Sequence, residues 1–160
     1  MKVILFGGAG MVGQGVLREC LRDPEVTEVL AVMRSATGQQ HAKLREIVHK
    51  DFNDFSALQL DGDACFWCLG VSSAGMSEAD YTRITHDYTM AAAKVLARPT
   101  MTFIFVSGAG AQGNAMWAKW VTPNSVTDTE RVGRAMLHIS REGFPKKVLE
   151  NSDINAASGG

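Results

Sequence analysis

Four short segments combine residue types and spacings that can do chemistry. The first is Gly7-Gly8-Ala9-Gly10-Met11-Val12-Gly13, which follows a continuously apolar run, 2–6, and opens at once into a helical pattern. It reads as Gly8-x-Gly10-x-x-Gly13 or as Gly7-x-x-Gly10-x-x-Gly13. Glycines at a strand-to-helix junction suit a pyrophosphate: Gly7 permits the tight turn, Gly10 lets backbone approach the phosphates, and Gly13 lets the helix pack closely on the sheet. Met11 and Val12 then supply free N–H groups at a helix N-terminus, whose dipole also favours the anion. A purely structural turn is the alternative reading.

The second segment, Val32-Met33-Arg34-Ser35, selects between cofactors. A sheet that prefers NAD carries an acidic residue here for the ribose 2′-hydroxyl. Arg34 can instead form a bidentate pair with a 2′-phosphate, with Ser35 and Thr37 as neighbouring donors, so NADP(H) is the expected cofactor. A solvated surface arginine is the competing reading. Asp51-Phe52 closes the third apolar run, where a carboxylate can accept from an adenine amino group or stand as an ordinary exposed acid. Leu69-Gly70 follows the fourth run, where a small residue lets backbone pass beneath the nicotinamide ribose; a plain strand-end turn would look the same.

Two other groups of reactive residues point away from chemistry. His41, His49, His86 and His138 show no metal-ligand spacing, so no metal site is expected. Cys65-Phe-Trp-Cys68 has the spacing of a redox pair but lies inside an apolar, strand-like run whose residues i and i+3 face opposite ways. Buried, unpaired thiols in a reducing, cytoplasmic setting are expected.

The elements that must hold these segments are legible as an alternation. Short apolar runs at 2–6, 28–33, 46–49, 64–69 and 102–107 are strand candidates, and their unbroken hydrophobicity suits strands covered on both faces. Helix candidates lie at 11–21, at 77–97 behind a Ser77-x-x-Asp80 cap, and behind Thr127-x-x-Glu130, where Val132, Ala135, Met136 and Ile139 form a stripe stopped by Gly143 and Pro145. Residues 147–150 read as one more short strand, and 156–160 as a disordered tail. The pattern predicts a single NAD(P)-binding α/β domain over 1–155, doubly wound in the Rossmann manner, with a mainly parallel sheet of order 3-2-1-4-5 and a C-terminal helix and short strand. The 160 residues carry a formal net charge of −1 and no apolar run of about 20 residues, so neither nucleic-acid binding nor a membrane span is expected.

Seven segments, "ILFGGAGMVGQGVL", "VMRS", "KLREIVHKDFNDF", "DACFWCLG", "FIFVSGAGA", "MWAK" and "VGRAMLHISREGFPKKVLENSDI", occur in an order that resembles the atypical short-chain dehydrogenase/reductase family. They look closest to its branch of small NADP-binding, epimerase-like oxidoreductases of the human Tat-interacting-protein type. The glycine loop is generic to the superfamily; the later segments are specific to the branch. The resemblance implies an NADP(H)-dependent oxidoreductase acting on a small carbonyl substrate that the sequence does not identify. In the wider family a Ser after strand five and a Tyr-x-x-x-Lys pair do the chemistry: Tyr passes a proton to the carbonyl as hydride moves, and Lys lowers the Tyr pKa and holds the ribose.

Ser107 matches the Ser place, with Gly108 as the alternative slot. Members of the branch carry Met-Trp in place of Tyr and a Lys four residues after the Trp, but four residues after Trp117 stands Val121. Lys119 is the nearest lysine, two residues on and about 200° around a helix from Trp117. Where the branch continues through a sixth strand and a substrate-covering segment, 120–124 leads directly into the final helix pattern, as across an internal deletion. Weak or lost catalysis is therefore expected, with a non-catalytic cofactor-sensing interaction module as the alternative. The missing sixth strand leaves 102–106 as an uncovered edge, which predicts a homodimer or a concentration-dependent oligomer built across that edge or the helix face beside it, with 147–150 as the spare strand that pairs with 102–106 of its own chain or of a second copy.

Overall fold

The computed structural model describes residues 1–71, 75–106 and 128–159. Five strands, β1 (Lys2–Phe6), β2 (Glu28–Met33), β3 (Leu44–Val48), β4 (Ala64–Trp67) and β5 (Thr102–Phe105), pair in parallel in the order β3-β2-β1-β4-β5. This is the doubly wound arrangement that the alternation of apolar runs and helical patterns predicts. The helices are α1 (Met11–Arg22), α2 (Glu78–Thr82), α3 (Tyr88–Leu96), α4 (Thr129–Glu142) and α5 (Asn151–Ala157), with a π-helical turn, Arg83–Asp87, joining α2 to α3.

The apolar runs are continuous because each central strand feeds two cores. Val3, Leu5, Ala64 and Phe66 face Val16, Leu17 and Cys20 of α1 and Met136 and Leu137 of α4. Ile4, Phe6, Cys65 and Trp67 face Phe52, Phe55 and Ala92 and Leu96 of α3. The period-2 alternation of a strand sends neighbours to opposite faces, and Cys65 and Cys68 accordingly join different cores. All three cysteines are free. Burial pushes the Cys20 and Cys65 thiols up, and that of Cys68 up to about 12.

Helices α1 and α4 approach closely through small residues. A Cβ at Gly133 would lie 3.0 Å from Glu19 Cβ, and one at Gly15 would overlap the Thr129 side chain. α4 therefore braces the helix that begins at the glycine turn.

Several elements depart from the sequence reading. β3 starts two residues early and ends at Val48, an edge strand whose residues are only partly covered. The helix behind Ser77 is capped as predicted, Asp80 N donating to Ser77 Oγ at 3.1 Å, but it is interrupted by the π turn. There the Thr85 hydroxyl donates to Tyr81 O at 2.7 Å and that of Thr89 to Thr85 O at 2.9 Å, side-chain bonds that compete with the regular ladder. α4 is capped by Asp128, whose carboxylate accepts from Arg131 N at 2.8 Å; Thr127 lies outside the described residues.

The C-terminal segment is the plainest correction. Residues 147–150 form no strand: Glu150 is the N-cap of α5, in a reciprocal capping box with Asp153, and Lys146 pairs with the same Asp153 at 2.6 Å. Two apolar residues cannot outweigh that capped start, and Val148 is half exposed. This removes 147–150 as a partner for β5. Nor are 156–159 a frayed tail, since Ala156 and Ala157 end α5 and Ala157 and Ser158 are buried. Among the described residues, no helix is long and apolar enough to cross a membrane.

Candidate functional site

β1 ends at Phe6, and the next residue turns the chain at a φ of +77°, a conformation glycine adopts without steric cost. A Cβ on Gly7 would also stand 2.6 Å from the Cys68 carbonyl carbon and oxygen and 2.7 Å from Leu69 N. Glycine is therefore needed twice over, for the turn and for its contact with the end of β4. Gly10 N donates to Gly7 O at 2.9 Å, Gln14 N to Gly10 O at 2.8 Å, and Gln14 Nε2 reaches back to Ala9 O at 2.9 Å. The loop is thus closed on itself and tied to the first turn of α1.

Gly10 is the N-cap of α1, with extended backbone, no side-chain cap bond and no acidic residue in the first turn. The Met11, Val12 and Gly13 amides have no intrahelical carbonyl to donate to, and no acidic residue of the first turn offsets the positive end of the helix dipole. A Cβ on Gly13 would overlap the Gly7 carbonyl oxygen and lie 2.6 Å from its carbon, so Gly13 is what lets the helix start so near the turn. At Gly10 a Cβ would meet, among the described residues, only Gly7 O, at 3.3 Å. Met11 stands 81% exposed at the rim.

The strand order reverses between β1 and β4, with β2 on one side of β1 and β4 on the other. In open parallel sheets a ligand lies in the crevice outside the carboxyl ends of the strands at such a switch point. The glycine turn and Leu69-Gly70 occupy that position here, Gly7 against the Cys68-Leu69 backbone. A Cβ on Gly70 would meet nothing within 4 Å among the described residues.

Arg34 and Ser35 follow β2 and are exposed, and Arg34 makes no ion pair or hydrogen bond among the described residues. Thr37 is placed differently from its sequence reading as a neighbouring donor, because its hydroxyl and amide both turn to Glu46. Asp51 is exposed after β3, and hydrogen bonds from the Asn53 side chain, at 2.9 Å, and backbone, at 3.0 Å, hold its carboxyl below the ordinary carboxylate range. Phe52 goes inward: it is buried edge-on against Phe6 and Phe55, so of that pair only Asp51 presents its side chain to solvent. Ser107 and Lys119 lie outside the described residues.

Three residues that position this end carry no recognisable sequence signal. Gln14 staples the loop, Glu46 holds the turn after Arg34, and His49 Nε2 sits 2.6 Å from Asp51 O and 2.7 Å from Asp54 O. Each is a contact between a side chain and a backbone group chosen by tertiary placement, not by spacing. Clefts of about 400 and 300 Å³ open elsewhere, one between the ends of α1, α4 and α5 and one at the starts of β1 to β3. Both lie toward the N-terminal ends of the strands, away from the glycine turn.

No protein-family model matches the chain, and no curated protein does. Among solved structures it is similar to a thiolation-reductase di-domain from an archaeal non-ribosomal peptide synthetase, at a TM-score of 0.54 and 14% identity, over 64% of this chain and 34% of that one. It is similar also to a protein from Lactobacillus casei, at a TM-score of 0.53 and 23% identity, over 66% of this chain and 47% of that one. The chain thus spans between a third and a half of the length of these two structures. At such identities the likeness is one of fold, and that fold is Rossmann-like.

Proposed function

We propose that the chain is an NADP(H)-binding Rossmann domain of the short-chain dehydrogenase/reductase type, in which oxidoreductase catalysis is weak or lost. The observation that supports the cofactor reading most is the glycine turn, where Gly7 and Gly13 each leave no room for a Cβ and an uncapped helix begins at the switch point. In this reading the Met11, Val12 and Gly13 amides hold the pyrophosphate, Gly10 admits it, and Arg34 with Ser35 takes the 2′-phosphate. Asp51 accepts from the adenine, and Leu69-Gly70 lines the nicotinamide ribose. The cofactor would supply hydride.

On the protein side, Ser107 and Lys119 are the residues assigned to catalysis. Lys119 falls two residues after Trp117 and Trp117 has no phenol, so the usual proton donor and its partner are both missing. Loss of a positioned general acid typically removes about 10²–10⁴-fold of rate. The same absence favours a second reading, a non-catalytic module in which bound NADP(H) orders a surface for a protein partner.

Titration of the chain with NADPH and NADH, followed by nicotinamide fluorescence, tests the cofactor reading; a preference for NADPH of about tenfold or more is expected from a charge-assisted arginine contact. Equal affinities would overturn it. Incubation with NADPH and a panel of aldehydes and quinones separates the two catalytic readings. Turnover at about 10 per second, an ordinary enzyme rate, would contradict weak catalysis.

A further inference from the structure

The turn that follows Arg34 is anchored from the neighbouring strand. Glu46, two residues before the end of β3, accepts from Thr37 N at 3.3 and 3.1 Å through its two carboxylate oxygens and from Gly38 N at 3.4 Å; the Thr37 hydroxyl donates to it as well. That hydroxyl also accepts from Gln39 N at 3.2 Å. Gly38 holds a φ of +75°, so two successive amides turn toward one anion, a concavity of the kind that binds carboxylate or phosphate.

Residues 34–42 are all exposed and contain no helix or strand, so nothing in their own secondary structure fixes them. A connection of that kind samples many conformers unless a specific contact selects one. Among the described residues, the bonds to Glu46 are the ones that tie 34–38 to the sheet.

We infer that Glu46 is a positioning residue for cofactor selection. By holding Thr37 and Gly38 it fixes the turn from which Arg34 and Ser35 reach the 2′-phosphate, so discrimination between NADPH and NADH depends on a carboxylate that does not touch the phosphate. The inference rests on the Arg34 reading proposed above. A bare carboxylate so close would repel the phosphate. Here the three donors, Thr37 N, Thr37 Oγ and Gly38 N, are already directed at it, and pre-organisation of the loop outweighs the residual repulsion. The bonds lie at the surface, where single contacts contribute little to global stability, so variants at Glu46 keep the fold.

The test uses the full chain, with Glu46→Ala and Glu46→Gln compared with Arg34→Ala and the parent. Glu46→Ala should lower the NADPH to NADH preference by about fivefold, through weaker NADPH binding, with NADH affinity within about twofold of the parent. Amide exchange at Thr37 and Gly38 should accelerate by about tenfold or more. Glu46→Gln, which keeps one acceptor oxygen, should fall between. A preference that rises in Glu46→Ala would mean that the carboxylate competes with the phosphate and would overturn the inference. A parent preference that Arg34→Ala abolishes and Glu46→Ala leaves intact overturns the Glu46 claim alone. A parent chain with no preference removes the Arg34 reading and the selection role together, and the exchange data then show whether the clamp itself exists.

Discussion

At the N-terminal end of the strands several charged groups are paired with one another, whereas at the C-terminal end Arg34 faces outward with no partner among the described residues. Lys2 meets Asp61 at 3.3 Å, Arg98 meets Asp61 at 3.4 Å and the Gly62 carbonyl at 3.1 Å, and Arg141 pairs with both Asp23 and Glu25. The Lys43 ammonium donates to Asp23 O at 2.7 Å, and the Lys2 amide to the Asp63 carboxylate at 2.7 Å. At the opposite end, Arg34 has no partner among the described residues, and the first amides of α1 stand uncapped. One end is electrically closed and the other is open to an anion. Polar groups that are left unmet around a tightly built turn are what a binding site requires and what a purely structural end avoids.

Substitutions at the two ends should therefore differ in kind. The largest effect is expected at Gly13→Ala, where the new methyl has only the Gly7 carbonyl to occupy. Such overpacking costs about 1–3 kcal/mol, read as a shift in the urea midpoint, and cofactor binding should be lost with it. A stable Gly13→Ala protein that binds NADPH normally would break the comparison.

Arg34→Glu comes next. It should leave stability unchanged while erasing an NADPH preference of about tenfold or more, measured by parallel titrations.

At the closed end the expected signature is acid sensitivity. Burial alone would raise the Asp23 carboxyl, but hydrogen bonds from Arg141 and from the Glu25 backbone outweigh it and hold the group below its ordinary value of 3.8. The folded state then binds the proton less readily than the unfolded chain. The stabilisation is full above about pH 4 and is lost as pH falls through the lower folded pKa. Asp23→Asn should flatten the acid limb of a Tm against pH profile, with no change in cofactor affinity.

The smallest effect belongs to Arg98→Ala. Its pair with Asp61 is exposed, so a change within about 1 kcal/mol is expected, again with NADPH binding unaltered.

What could be read beforehand follows the same division. The strands and their order were legible because buried parallel strands leave continuous apolar runs, and the Gly7 and Gly13 roles because their backbone demands show as residue type. The 147–150 segment was misread because Val148 and Leu149 resemble strand residues, while the reciprocal contact between Glu150 and Asp153 that starts α5 is an unusual form of capping box. The π turn was hidden because Thr85 and Thr89 keep helical spacing and reveal their back-bonding only in three dimensions. The inward course of the Phe52 side chain is likewise not legible from its place beside Asp51, because the strand-to-loop geometry sends these neighbouring side chains opposite ways and packs this one against Phe55. Glu46 was silent for a related reason: its partners are nine and eight residues away, on a loop with no period.

The central claim is that the open end of the sheet is the cofactor site. Backbone amide NMR of the full chain, titrated with NADPH, tests it most directly. The amides of Gly7, Gly10, Met11, Val12, Gly13, Arg34 and Ser35 should shift together and saturate at one Kd, while those of Asp23, Asp61 and Arg98 stay in place. Shifts confined to the closed end, or none at any concentration reached, would contradict the account.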